Sequence, residues 1–153
     1  MDIVRLYVCA EHVYVGHFGR PPGATPMIEL KRARIEPGLG VVGDRYHEKA
    51  AGHKGQVTFF SEETWLRLRE ELGQPEKEPS VFRRNVIVRG ADLAGLIGRP
   101  FELQGVRFEG SEYCKPCFWM DQAFALGTLQ RLTEWKAGGL RARALSGGEL
   151  VRD

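Results

Sequence analysis

Glycine and proline cut this chain into short pieces, and no other feature limits its fold as tightly. The 153 residues hold 19 glycines and 8 prolines, so no element has room to grow long. Between the breaks lie runs rich in β-branched and aromatic residues: Ile3 to Val8, Met27 to Leu30 with looser alternation to Ile35, Gln56 to Phe60, Phe82 to Arg89, Leu140 to Leu145, and Glu149 to Val151. Each has the composition and length of a strand. Phe101-Glu102-Leu103 and Val106-Arg107-Phe108 alternate around Gln104-Gly105, which is a hairpin signal. Helical periodicity is confined to two segments. Ser61 is a good N-cap, with Glu62 and Glu63 in the first turn, Trp65, Leu68 and Leu72 along one face, and Gly73 as the stop. Thr128 to Lys136 places Leu129, Leu132 and Trp135 on one side and ends at Gly138-Gly139. Residues 91–98 form a compact turn with room for one helical turn. About eight short strands, two or three short helices and no regular β-α-β alternation predict a mainly β fold, a closed or nearly closed antiparallel β-barrel. The length predicts a single domain over residues 1–153.

Charge and cysteine usage narrow the function classes. A net charge of +2 and a pI near 8.5 are too balanced to mark a nucleic-acid binder. No apolar run is long enough to span a bilayer, and Met1 to Arg5 lacks the basic and apolar regions of a signal peptide. Three cysteines are an odd count, which favours free thiols in a reducing cytoplasm over a disulfide framework.

The hairpin runs directly into Glu112-Tyr113-Cys114-Lys115-Pro116-Cys117-Phe118-Trp119-Met120-Asp121. A thiol reacts as the thiolate, and Lys115 supplies positive charge between the two sulfurs. Pro116 fixes its own φ and withholds a donor just before Cys117. A buried pair of small hydrophobes is the ordinary alternative. A thioredoxin-type dithiol would open a helix in a β-α-β unit, whereas these cysteines follow a hairpin. A zinc site would need a second ligand pair. Cys9, His12, His17, His47 and His53 are the candidates, but they form no second C-x-x-C and no H-x-x-x-H. Arg45, Arg83, Arg84, Arg141 and Arg143 sit at strand ends or beside strands. Singly each belongs on a solvent face, while as a set they suit an anion such as phosphate. Asp44 and Asn85 are polar residues beside apolar strands, where a local hydrogen-bonding role is the usual one. Residues 9–25 form a long loop whose His12 and His17 are surface residues or, near a thiol, a base or proton shuttle. Trp119 and Met120 read as core or pocket wall, and Asp121 as a cap for the segment that follows or a group that orients a nearby basic side chain.

Taken in order, these pieces resemble the MOSC domain, the family named for the C-terminal domain of molybdenum-cofactor sulfurases. Gly43-Asp44-Arg45-Tyr46 resembles the family's G-D-R-H/Y segment, and Gly55-Gln56-Val57-Thr58-Phe59 its following strand. Phe82-Arg83-Arg84-Asn85-Val86 resembles its R-R-N strand, and Cys114-Lys115-Pro116-Cys117 its cysteine motif. Gly138 to Arg143 and Gly147-Gly148-Glu149-Leu150 resemble its closing hairpin. The resemblance implies a barrel of the pyruvate-kinase-barrel-like type. It also implies that Cys117, by its position after proline, carries sulfur or ligates molybdenum, with Cys114 as a resolving thiol, a second carrier or a neighbour. Asp44, Arg45, Arg83, Arg84, Asn85, Arg141 and Arg143 become the residues expected to hold the molybdenum cofactor (molybdopterin). In sulfurase members a separate pyridoxal-phosphate domain makes the sulfur. This chain has no room for it, so no covalently bound pyridoxal phosphate is expected, and a cysteine desulfurase is the expected donor. In the amidoxime-reducing relatives the corresponding cysteine binds molybdenum and a redox partner supplies electrons; those proteins carry an extra N-terminal region missing here. Three functions follow as expectations. The first is a sulfur-carrier or molybdenum-cofactor-binding protein. The second is a molybdenum-dependent reductase of N-hydroxylated compounds. The third is a non-catalytic barrel that binds a small anion or zinc.

Overall fold

The computed structural model describes residues 1–11 and 26–153. His12 and His17 therefore lie outside the described residues. Among the described residues, ten strands and three α-helices follow in the order β1 (Asp2–Val8), β2 (Ile28–Leu30), β3 (Arg32–Glu36), β4 (Gly40–Val41), β5 (Val57–Ser61), α1 (Glu62–Glu71), β6 (Val86–Arg89), β7 (Pro100–Leu103), β8 (Val106–Tyr113), α2 (Trp119–Ala123), α3 (Thr128–Glu134), β9 (Leu140–Ala144) and β10 (Gly148–Val151). Two single 3-10 turns, Pro79–Phe82 and Ala94–Leu96, lie between them.

Seven strands form one sheet in the order β2-β1-β6-β5-β9-β8-β7, and β10-β3-β4 form a second. The large sheet is the middle layer. Val57 and Phe59 of β5, Val86 and Val88 of β6, and Leu140 and Ala142 of β9 pack with Ala33, Ile35, Val41 and Leu150 of the small sheet. Phe60 and Ile87 point the other way, into Trp65 and Leu68 of α1, Met120 of α2 and Leu132 of α3. Successive strand residues face opposite sides, so a strand covered on both faces needs no polar alternation. That is why Val57-Thr58-Phe59-Phe60 and Val86-Ile87-Val88 read as almost unbroken apolar runs and sit at the centre.

Two expectations are corrected. The sheet is not wholly antiparallel: β5 and β6 run parallel, with Phe59 opposite Val86. A parallel pair needs a long crossover, and α1 with the 3-10 turn after it supplies one. One β-α-β unit is therefore present, although the strands and helices show no regular β-α-β alternation. The barrel expectation also changes, because among the described residues neither ladder closes on itself. The large sheet ends at β2 and β7, the small one at β10 and β4. The architecture is mainly β, with few helices and a large mixed sheet.

Local chemistry explains the element boundaries. The Ser61 hydroxyl accepts the Thr64 N–H at 3.1 Å and caps α1. Gln104 and Gly105 both take positive φ, +50° and +80°, the twist a two-residue hairpin requires. Helix α2 was not foreseen. It is one short turn that follows the cysteines, and its Asp121 carboxylate accepts the Leu129 N–H at 2.8 Å, capping α3 as expected.

Candidate anion and thiol site

The ends of β1, β5, β6, β8 and β9 converge on one cleft of about 270 Å³, lined by Arg45, Tyr46, Lys49, His53, Gly55, Thr58, Arg83, Arg84, Cys114 and Arg141. Two buried polar residues hold the ends in place. Asp44 sits in the turn before Arg45, and its carboxylate accepts the N–H of Cys9 and of Tyr46, each at 3.1 Å. Asn85 accepts the Thr58 N–H and hydroxyl at 3.0 and 2.9 Å and donates to the Tyr7 carbonyl at 3.3 Å. It thereby ties β5, β6 and β1 together. Asp44 and Asn85 thus spend their polar atoms on the frame beneath the cleft, the local role the sequence suggested for them.

The arginines stand on that frame. Arg45 is nearly buried; it donates to the Arg83 carbonyl at 3.3 Å and lies 3.4 Å from Asp44. Arg83 takes a left-handed φ of +57°, which turns the chain between the 3-10 turn and β6. Arg84 donates one terminal nitrogen to the Phe82 carbonyl at 2.8 Å and the other to the Gly138 carbonyl at 3.2 Å. Its Nε is buried with no hydrogen-bond partner. A buried charged donor without an acceptor costs on the order of 1–3 kcal/mol; closed off from solvent, this atom does not itself face a ligand, and Arg84 meets the cleft through the N–H groups its terminal nitrogens have left over.

Strand β9 brings Arg141 to the opposite wall. The β8–β9 register shifts between Gly110 and Glu112, a bulge that re-aims the strand end. Glu112 then faces Arg141, and their side chains meet at 2.7 Å. Burial acts to lower the Arg141 pKa, but the Glu112 bond and the adjacent Cys114 sulfur outweigh it and hold the group above its usual value. Arg143, two residues on, bonds Glu109 at 3.1 Å and the Gly52 carbonyl at 3.1 Å. It stands beside the cleft rather than in its wall.

The thiols differ in exposure. Cys114 is buried and lines the cleft, whereas Cys117 is exposed and lies outside the lining. The close approach of Gly138 fixes this geometry, because a Cβ there would collide with the Cys114 carbonyl and with Pro116. Among the described residues, the one group of three metal-ligand types within reach of one another is Glu36, His47 and Glu48. It contains no cysteine, and His47 is already hydrogen-bonded to Glu36 at 2.9 Å.

Lys49, His53 and Tyr46 complete the cleft, and the sequence reading assigned none of them a role there. Tyr46 carries Lys49 over its ring at 4.7 Å, Arg45 at 4.8 Å, and the His53 ring stacked at 5.4 Å. Their spacing along residues 46–53, three and then four apart, was the available signal.

A model of the MOSC domain family matches residues 46–152. Four solved structures share the fold at low identity. The YuaD protein of Bacillus subtilis superimposes with a TM-score of 0.71 at 17% identity, covering 98% of this chain and 90% of that one. YiiM of Escherichia coli gives 0.63 at 19%, with 98% and 67% covered. YiiM of Geobacillus stearothermophilus gives 0.71 at 14%, with 98% and 70%. A hypothetical protein gives 0.65 at 18%, with 82% of this chain covered, and the chain spans 60% of that protein's length. No curated protein sequence matches.

Proposed function

The chain belongs to the MOSC domain family, and on that footing we propose that it carries sulfur on Cys117 beside a cleft for an anionic, phosphate-bearing cofactor of the molybdopterin type. The observation that carries this reading is the cleft itself: Arg45, Arg83, Arg84, Lys49 and Arg141 around a buried thiol. Guanidinium forks match phosphate oxygens, so the donor set fits the phosphate end of such a cofactor. Bound there, the cofactor would supply a molybdenum centre with redox and sulfur chemistry.

The residues of this chain divide the work. Arg84 and Arg45 are preorganised by carbonyl bonds and orient the phosphate. Arg141 balances Glu112 and lies against Cys114. Exposed Cys117 is accessible to a protein donor, which a buried thiol is not. In the loading step the Cys117 thiolate attacks the outer sulfur of a desulfurase persulfide. A new S–S bond forms on Cys117, the donor S–S bond breaks, and the donor cysteine leaves as thiolate. Cys117 was the expected ligand to molybdenum, a soft metal, but the sulfur that a cofactor held in the cleft would meet is Cys114, since Cys117 lies outside the lining.

Incubation with a cysteine desulfurase and radiolabelled cysteine tests the reading. Labelled sulfane sulfur is expected on the wild-type chain, lost in Cys117→Ser and reduced in Cys114→Ser. Equal labelling of wild type and Cys117→Ser would overturn the assignment.

A further inference from the structure

Among the described residues His53 is the one imidazole in the cleft wall, and three observations fix its state. Its Nδ1 accepts the Gly55 N–H at 3.0 Å, so the proton of the neutral ring resides on Nε2. Its ring is stacked on Tyr46 with an interplanar angle of 26°, so it cannot turn without losing that contact. The charges around it are mostly positive: Lys49 on its own loop and Arg141 and Arg143 on β9, against Glu112 on β8. Burial foremost, then these cations, hold its pKa below the usual histidine value.

We propose that His53 is a specificity-determining residue of the anion cleft, a neutral donor that offers Nε2–H to the bound anion and stays neutral when the anion binds. The proposal rests on the reading of the cleft as an anion site. Protonation would place a second N–H on Nδ1, facing the Gly55 N–H, so the anion cannot draw a proton onto the ring without breaking that bond. The cleft therefore combines fixed cations, which give attraction, with one uncharged donor, which gives direction. A neutral imidazole does not hand its proton to the ligand at ordinary pH, a role that a neutral histidine fills elsewhere as an electrophile. An oxyanion held there keeps its own protonation state.

The test uses inorganic sulfate, whose charge does not change between about pH 5.5 and 8, the interval in which an ordinary histidine titrates. Calorimetric affinity is expected to be flat across that range, with no net proton uptake in buffers of different ionisation enthalpy. The Nε2–H resonance of His53 should shift downfield and exchange more slowly with water when sulfate is added. That response separates a donor from a residue that merely props Tyr46. His53→Gln, which can keep both the Gly55 acceptor and a cleft-facing N–H, should bind within about threefold of wild type, and His53→Ala about tenfold more weakly. Sulfate binding that strengthens as pH falls, with the dependence removed in His53→Gln, would overturn the neutral-donor assignment. So would an unchanged affinity in His53→Ala. Absence of sulfate binding at every pH would instead overturn the anion-cleft reading beneath it.

Discussion

At the scale of single residues, the site separates atoms that build from atoms that are left to bind. Asp44 and Asn85 have their polar atoms engaged within the protein, whereas Arg45, Arg84 and Arg141 line the cleft. Asn85→Ala leaves the Thr58 N–H and the Tyr7 carbonyl without their partner and is expected to cost about 2–4 kcal/mol in urea unfolding. Arg84→Ala takes the donors from the Phe82 and Gly138 carbonyls and should cost about 1–3 kcal/mol as well as weaken sulfate binding by about tenfold or more. Arg84→Lys should not restore it, because an ammonium lacks the planar fork that holds the Phe82 and Gly138 carbonyls and still presents donors to the cleft. The sequence singled out both residue types, and the motif order grouped them. It could not tell frame from wall, because burial of one guanidinium nitrogen depends on the Gly138 carbonyl, 54 residues away along the chain. The same limit applies to the thiols. Proline before Cys117 drew attention to that residue, while the cleft wall is formed by Cys114, whose position follows from a bulge in β8 that strand alternation does not reveal.

At the scale of elements, the loop between α3 and β9 is as important as the strands. Gly138 and Gly139 were legible only as a helix stop. In the fold they are the points where this loop crosses the cysteine stretch and β5, with the Cys114 carbonyl against one and the Phe59 carbonyl against the other. Gly139 also holds φ at +104°, a conformation that favours glycine. Gly138→Ala is expected to push the Cys114 backbone outward and cost about 1–3 kcal/mol. It should also change the reactivity of Cys114 toward thiol reagents, measured as alkylation rate; an unchanged rate would show that the crossing does not position the sulfur. Helix α1 was legible from its cap and apolar face. Its role as the crossover between parallel strands was not, because the periodicity of a helix says nothing of the direction in which the next strand returns.

At the scale of the whole molecule, the layered arrangement puts one sheet between two apolar clusters, and Tyr7 sits on its helix-facing side. Burial foremost, then Glu29, pushes the Tyr7 pKa up to about 12 from 10.0. The folded chain thus keeps a proton that the unfolded chain loses above its own tyrosine pKa. The associated stability is complete below pH 10 and lost as pH rises toward about 12. The loss is on the order of 2 kcal/mol, and Tyr7→Phe should remove that alkaline slope in chemical unfolding. A mainly β fold was legible from the glycine spacing and the β-rich runs. The closed or nearly closed barrel expected from them is not seen among the described residues, because open and closed sheets share the same strand patterns and differ only in whether their edge strands pair. The described residues contain no helix long and apolar enough to cross a membrane. The most direct test of the central claim is native mass spectrometry with elemental analysis on protein purified anaerobically from its own host. The account predicts an increment of one sulfur atom on Cys117, or a molybdopterin-sized increment with stoichiometric molybdenum. Zinc alone, or an unmodified chain, would contradict it.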